Sequence, residues 1–171
     1  MQLLFINVKG YRFCLPLVEL ERLLLLMEIQ SIPKAPEYLV GLMNLGGEAV
    51  PVLDLALRIG IEHEENYSVQ TPVVLLNSKQ QKTALIIDHI EGVFSVKQEQ
   101  LRGERLFEGG LPPIKASITT ANGMALLLDT QRILDFDLSG MGISLELSKE
   151  LLALCYIKNG SKSQQNLGQY G

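Results

Sequence analysis

The chain has 171 residues, of which 47% are hydrophobic, enough for one domain with a real core or for two small lobes that share one. Its 15 basic and 19 acidic side chains leave a net charge of −4, which offers no general attraction to phosphate backbones or anionic membranes. A nucleic-acid groove would also call for basic and aromatic residues together, and there are only five tyrosines, five phenylalanines and no tryptophan. The first residues carry no basic leader, and apolar runs such as Leu23 to Met27 are far too short to span a bilayer. These features read as a soluble, cytosolic protein without direct membrane insertion.

In chain order the sequence predicts short strands divided by turn signals, the pattern of an all-β protein. Leu3 to Val8 and Tyr11 to Leu15 flank Lys9-Gly10 and form a first hairpin. Leu17, Leu20, Leu23 and Leu24 fit a helical stripe, while Leu23 to Ile29 fits a buried strand equally well. Pro33 and Pro36 forbid a continuous helix and turn the backbone. Gly46-Gly47, between Gly41 to Leu45 and Ala49 to Leu53, marks a two-residue hairpin turn that needs positive φ. Pro51 cannot donate to a ladder and suggests an edge strand or a bulge. Asp54 is placed to cap a short helix ending at Ile59, with Gly60 behind it.

A polar connection follows near 61–71, containing His63, read as a solvated loop residue, and the solvated acids Glu62, Glu64 and Glu65. Strands are then expected from Pro72 to Leu76, Thr83 to Ile87 and Gly92 to Val96, with Asp88 and His89 in the turn before the last. Leu101 to Pro113 reads as a loop. Ile114 to Thr120 and Met124 to Leu128 form a hairpin about Asn122-Gly123, and Asp129 starts a short closing helix through Leu134. Residues 144–157 repeat apolar side chains three and four apart and predict an amphipathic helix; 158–171, rich in serine, asparagine, glutamine and glycine, predicts a flexible tail.

Catalytic and metal motifs do not emerge. Neither His63 nor His89 has a cysteine or histidine at ligand spacing, and no phosphate-binding glycine loop is present, so no cofactor or metal is expected. Cys14 and Cys155 are read as two buried free thiols in a reducing compartment.

The ordered run from Ser31 to Leu55, Ser-Ile-Pro-Lys-Ala-Pro-Glu-Tyr-Leu-Val-Gly-Leu-Met-Asn-Leu-Gly-Gly-Glu-Ala-Val-Pro-Val-Leu-Asp-Leu, resembles the signature of the CheW-like family. Thr83 to Val93 resembles the same family's second half, and together the resemblance covers roughly 3–135. It implies a mainly β fold of two small intertwined SH3-like five-stranded barrels within 1–138, with short helices and the C-terminal amphipathic helix. It also implies a turn or short helix after Pro16, a strand from about Leu23, a short helix ending at Gly41 and a corner at Asn44 to Gly47.

By the same resemblance the function is that of a non-enzymatic bacterial adaptor between the cytoplasmic tip of a chemoreceptor and the regulatory domain of a CheA-type histidine kinase. Recruitment to membrane-associated receptor arrays would follow. Leu20 and Leu23 fall where the receptor-facing apolar groove lies, although plain core serves equally for both; Gly41, Asn44, Leu45, Gly46 and Gly47 fall at or near the corner. The family usually carries arginine where this chain has Gly46, and an arginine could offer a partner up to five donors where glycine offers its amide alone. The alternative is a small barrel that binds another protein or ligand, having lost one or both chemosensory interfaces.

Overall fold

The computed structural model describes residues 1–64, 66–79, 81–106 and 113–136. The expected helix at 144–157, the tail at 158–171, Cys155 and Glu65 lie outside the described residues. The strands are β1 (Gln2–Val8), β2 (Tyr11–Pro16), β3 (Leu20–Leu25), β4 (Ile29–Gln30), β5 (Leu39–Leu45) and β6 (Glu48–Asp54). After helix α1 (Leu55–Arg58) come β7 (Pro72–Ser78), β8 (Gln81–Ile86), β9 (His89–Ser95), β10 (Leu101–Arg102), β11 (Ile114–Thr120) and β12 (Gly123–Leu128), then helix α2 (Thr130–Leu134).

Two sheets result, in the orders β10-β11-β12-β2-β1-β9 and β3-β7-β8-β6-β5-β4. Each has five strands of six or seven residues and one of two residues. They are built alike, since each joins two antiparallel hairpins through one parallel pair, β12 with β2 in the first and β6 with β8 in the second. Parallel neighbours need a long crossover: between β2 and β12 it includes the whole second sheet, and between β6 and β8 it is α1, the connection at 61–71 and β7. The chain leaves the first sheet after β2, builds all of the second from β3 to β8, and returns at β9. The connection at 61–71 therefore joins α1 to β7 within the second sheet.

Alternation along the strands then produces three cores. Leu3 and Phe5 of β1 face a cluster with Cys14, Ala116, Ile118 and Leu127 inside the first sheet. Val73, Leu75, Ala84 and Ile86 face a matching cluster with Val50 and Val52 inside the second. The opposite faces, Leu4, Ile6 and Val8 on β1 and Val74, Leu76 and Leu85 on β7 and β8, meet in a third cluster between the sheets. Strands buried on both faces need continuous apolar runs, which is why β1 and β7 read that way. The five buried apolar side chains of β1 remove a gross 10 kcal/mol or so of apolar surface from water, an upper figure set against an extended chain.

Local chemistry explains most element ends. In the β1–β2 turn Lys9 and Gly10 both take positive φ, and Asn7 Oδ1 accepts from the Gly10 amide at 3.1 Å. Asp54 and Asp129 cap α1 and α2, each accepting from the amide three residues on, and Gly60 has φ +90°. Arg58 of α1 donates to the carbonyls of Arg132, Ile133 and Asp135 and so closes the C-terminal end of α2.

Several expectations are corrected. β3 begins at Leu20, directly after a 3-10 turn at Leu17–Glu19, and its side chains are mostly exposed because it lies at the sheet edge, where only Leu20 and Leu24 pack against the cores. Gly41 does not end a helix; it lies inside β5. Pro51 sits in an interior strand, opposite Leu42 and one residue ahead of the parallel ladder that starts at Val52. β9 starts at His89, so this histidine is an exposed strand residue opposite Asn7 and not part of the turn. In the β11–β12 hairpin Thr120 pairs with Gly123, so the turn residues are Ala121 and Asn122, and Gly123 takes positive φ as the first residue of β12.

Candidate partner-docking surface

β3 ends the order of the second sheet, and among the described residues no strand pairs with its outer edge. Its one neighbour is β7, where Leu23 lies opposite Val74 and Leu25 opposite Pro72. Leu23, Leu25 and Met27 follow one another at every second position and are 43%, 51% and 40% exposed. Period-two spacing sets Leu23 and Leu25 on one face of the strand, and exposed Met27 follows two residues past its end, so the three make an outward apolar patch. Leu20 behaves differently, being half-buried and packed against the core between the sheets. The structure therefore separates the two leucines of the sequence reading into a core residue and a surface residue.

The β5–β6 corner is rigidly made. Gly46 and Gly47 have φ +60° and +90°, as a primed two-residue turn requires, and Asn44 Oδ1 accepts from the Gly47 amide at 2.8 Å. Asn44 is thereby committed to shaping the turn, in the same way that Asn7 shapes the first hairpin. Leu45 is half-buried against the second sheet's own core. A Cβ on Gly46 would meet nothing within 4 Å, so this position is open to solvent or to a partner. Gly41 is the reverse case: a Cβ there would stand 2.4 Å from the Gln30 carbonyl oxygen and 2.4 Å from Ile29 Cγ2. Glycine at 41 lets the backbone of β4 lie against β5, beside the irregular register between Leu39 and Gly41.

The corner and the apolar patch are joined through Lys82 of β8, whose Nζ lies 3.1 Å from Glu21 of β3 and 3.0 Å from Glu48 beside the corner. Hydrogen bonds to Glu48 and Glu21 push the Lys82 ammonium above its ordinary pKa, so it stays charged throughout the physiological range.

A polar cluster that spacing did not reveal lies behind the connection. Asp54, 2% exposed, accepts from the Leu57 amide through Oδ1, while His63 Nε2 at 2.7 Å and the Tyr67 hydroxyl donate to Oδ2. His63 is not a solvated loop residue, because its side chain is only 11% exposed and its other ring nitrogen lies 2.7 Å from the Glu64 carbonyl; Glu62 and Glu64 are exposed. The cluster lines a cavity of about 250 Å³ that also touches Lys9 and Asp88. A histidine and a tyrosine four residues apart, downstream of a capping aspartate, were the available signal. Their meeting required the connection to fold back over α1.

Asp54 is the only buried ionisable side chain of the described core apart from Cys14, whose thiol is pushed up to about 12 by burial. Its carboxylate is fully engaged in holding backbone and loop, and among the described residues no group of three or more histidine, cysteine or acidic side chains could hold a metal. No helix of the described residues is long and apolar enough to cross a membrane. Two β-sheets that share a core and present an apolar edge and a rigid corner offer surfaces suited to holding another protein.

The CheW-like domain family matches residues 2–137, most of the chain, and the chain belongs to that family. It is 29% identical over 112 residues to the chemotaxis protein CheW of Klebsiella aerogenes, covering 63% of this chain and 65% of that protein. It is 23% identical over 108 residues to the chemotaxis protein CheW of Thermotoga maritima, covering 63% of this chain and 70% of that one. The chain thus spans about two thirds of the length of these relatives. The crystal structure of the scaffolding protein TtCheW from Thermoanaerobacter tengcongensis shares the fold, with a TM-score of 0.71, 19% identity, and coverage of 80% of this chain and 93% of that one.

Proposed function

We propose that this chain is a chemotaxis adaptor of the cytoplasm that couples the cytoplasmic tip of a chemoreceptor to the regulatory domain of a CheA-type histidine kinase, and that it works at membrane-associated receptor arrays. The observation that carries the reading is the exposed apolar pair Leu23 and Leu25 of an unpaired edge strand, with exposed Met27 just past its end, in a chain of this family. Apolar surface at an open strand edge is a ready site for another chain. This patch supplies the receptor contact and the Asn44 to Gly47 corner supplies a second one. No covalent chemistry takes part: the adaptor holds two proteins in a fixed relation, so that a change in one alters the other's equilibrium.

Gly46 favours a variant of this reading in which one contact is weak. A Cβ there meets nothing, so an arginine has room at a cost of about 1 kcal/mol in left-handed backbone strain, and it adds a charged donor worth about 1 to 3 kcal/mol when its hydrogen bond is desolvated at an interface. Calorimetric titration of the protein with a receptor cytoplasmic fragment, and separately with the kinase regulatory domain, tests the proposal. Saturable binding to both is expected, and Gly46→Arg is expected to tighten one of them. Binding to neither partner refutes the adaptor reading, and an unchanged affinity in Gly46→Arg removes this site from the explanation.

A further inference from the structure

We propose that the connection at 61–71 is a proton-operated latch, fastened by His63 as an imidazolium and loosened when that ring loses its proton. The ring meets an acceptor at each nitrogen. Nε2 lies 2.7 Å from Asp54 Oδ2, and Nδ1 lies 2.7 Å from the Glu64 carbonyl oxygen. A backbone carbonyl can only accept, and so can an ionised carboxylate. Asp54 is in that state, because Oδ1 accepts from the Leu57 amide while Oδ2 accepts from the Tyr67 hydroxyl as well as from His63. A neutral imidazole carries one N–H and would set its lone pair against one of the two oxygens; only the doubly protonated ring donates to both.

Charge leads to the same state. Asp54 is 2% exposed, and a buried carboxylate needs a cation beside it. Among the described residues its one ion pair is with His63. The other charged groups about the cavity are placed elsewhere: Lys9 Nζ lies 3.5 Å from Asp88 Oδ1, and Glu62 and Glu64 of the connection are exposed. Tyr67 donates to the same Asp54 oxygen and packs against the second sheet's own core. Loss of the His63 proton therefore parts one of the ring's two contacts and weakens the hold of the connection on α1. Its far end reaches the apolar patch, where the Thr71 carbonyl accepts from the Leu26 amide at 2.8 Å, between exposed Leu25 and Met27. A latch that binds one more proton closed than open shifts toward open by up to tenfold per pH unit as that proton leaves.

NMR of the nitrogen-15-labelled full chain across the histidine range, about pH 5 to 8, tests the latch, with circular dichroism confirming that each variant folds. The His63 ring signals, assigned by their loss in His63→Gln, are expected to show two protonated nitrogens wherever the latch is closed; exposed His89 serves as the reference. Closure is read from amide exchange, corrected for its intrinsic pH dependence, at Ile61, Thr71 and Leu26, which donate to the carbonyls of Ala56, Ser68 and Thr71. In the wild type this exchange is expected to quicken with rising pH, by up to tenfold per unit, and in His63→Gln to show no such dependence. Asp54→Asn keeps a helix cap and gives the ring a donor in place of an acceptor, so the latch closes on neutral imidazole and the pH dependence is again expected to vanish. A His63 ring with a single proton while those amides are protected, or a wild-type exchange profile that matches His63→Gln, overturns the proposal. No receptor or kinase enters the measurement, so the adaptor reading stands or falls apart from it.

Discussion

Substituting Gly41 by alanine isolates the close approach of β4 to β5. The added Cβ would lie 2.4 Å from a backbone carbonyl oxygen and 2.4 Å from a methyl carbon of Ile29, well inside van der Waals contact. Ile29 can rotate away, but the Gln30 carbonyl moves only with its strand, so β4 must separate from β5 and give up the Ile29–Met43 and Gln30–Leu42 pairing. Overpacking of this kind costs about 3 kcal/mol. In a domain of this size that lowers the thermal midpoint by roughly 6 to 12 °C. Gly46→Ala is the matched control, because its Cβ meets nothing and only the left-handed backbone is strained, at about 1 kcal/mol. Thermal denaturation of both variants, followed by circular dichroism, reads the difference. A Gly41→Ala protein as stable as the wild type, or less damaged than Gly46→Ala, would refute the steric account.

Three further outcomes are expected. Asp54→Ala removes a helix cap and strands the His63 and Tyr67 donors, and is expected to cost about 2 to 4 kcal/mol in urea unfolding; a double-mutant cycle with His63→Ala should show coupling of about 1 kcal/mol, and strict additivity would mean that the contact contributes nothing. Leu23→Asp, on the exposed patch, should leave stability within about 0.5 kcal/mol while weakening receptor-fragment binding, whereas half-buried Leu20→Ala should lower stability by about 1 to 2 kcal/mol; a reversed pattern contradicts the assignment of core and surface. Cys14 is pushed from 9.0 up to about 12 by burial, partly offset by Arg12. Above the unfolded value the denatured chain sheds this proton and the native one keeps it, so stability is intact below about pH 9 and falls as pH rises toward 12. In a Cys155→Ser background the Cys14 thiol should resist modification at pH 8 until the protein unfolds, and rapid labelling of the native state would disprove its burial.

Much of the fold was legible because its signals are local. A two-residue turn such as Gly46-Gly47, a capping aspartate at 54 or 129 and a glycine after a helix act over three or four residues, and each appears where the sequence pointed. The corner was readable for the same reason, as was the family. His63 was misread because its partner, Asp54, is reached through a folded connection and not by spacing along a helix or strand. Leu20 and Leu23 were inseparable in sequence since both are leucines in one apolar run; only the bulge that shifts register between Leu20 and Arg22 and the position of β3 at the sheet edge distinguish them.

By itself the sequence determined the class of protein, the hairpins, the helix caps and the need for glycine at a few turns, because turn and capping energies depend on neighbouring residues. The tertiary structure alone decided that β1 and β2 join β9 to β12, that parallel pairs stand at the middle of both sheets, and why position 41 excludes a side chain. Those features depend on which distant segments meet, and that is settled by burying three apolar cores at once.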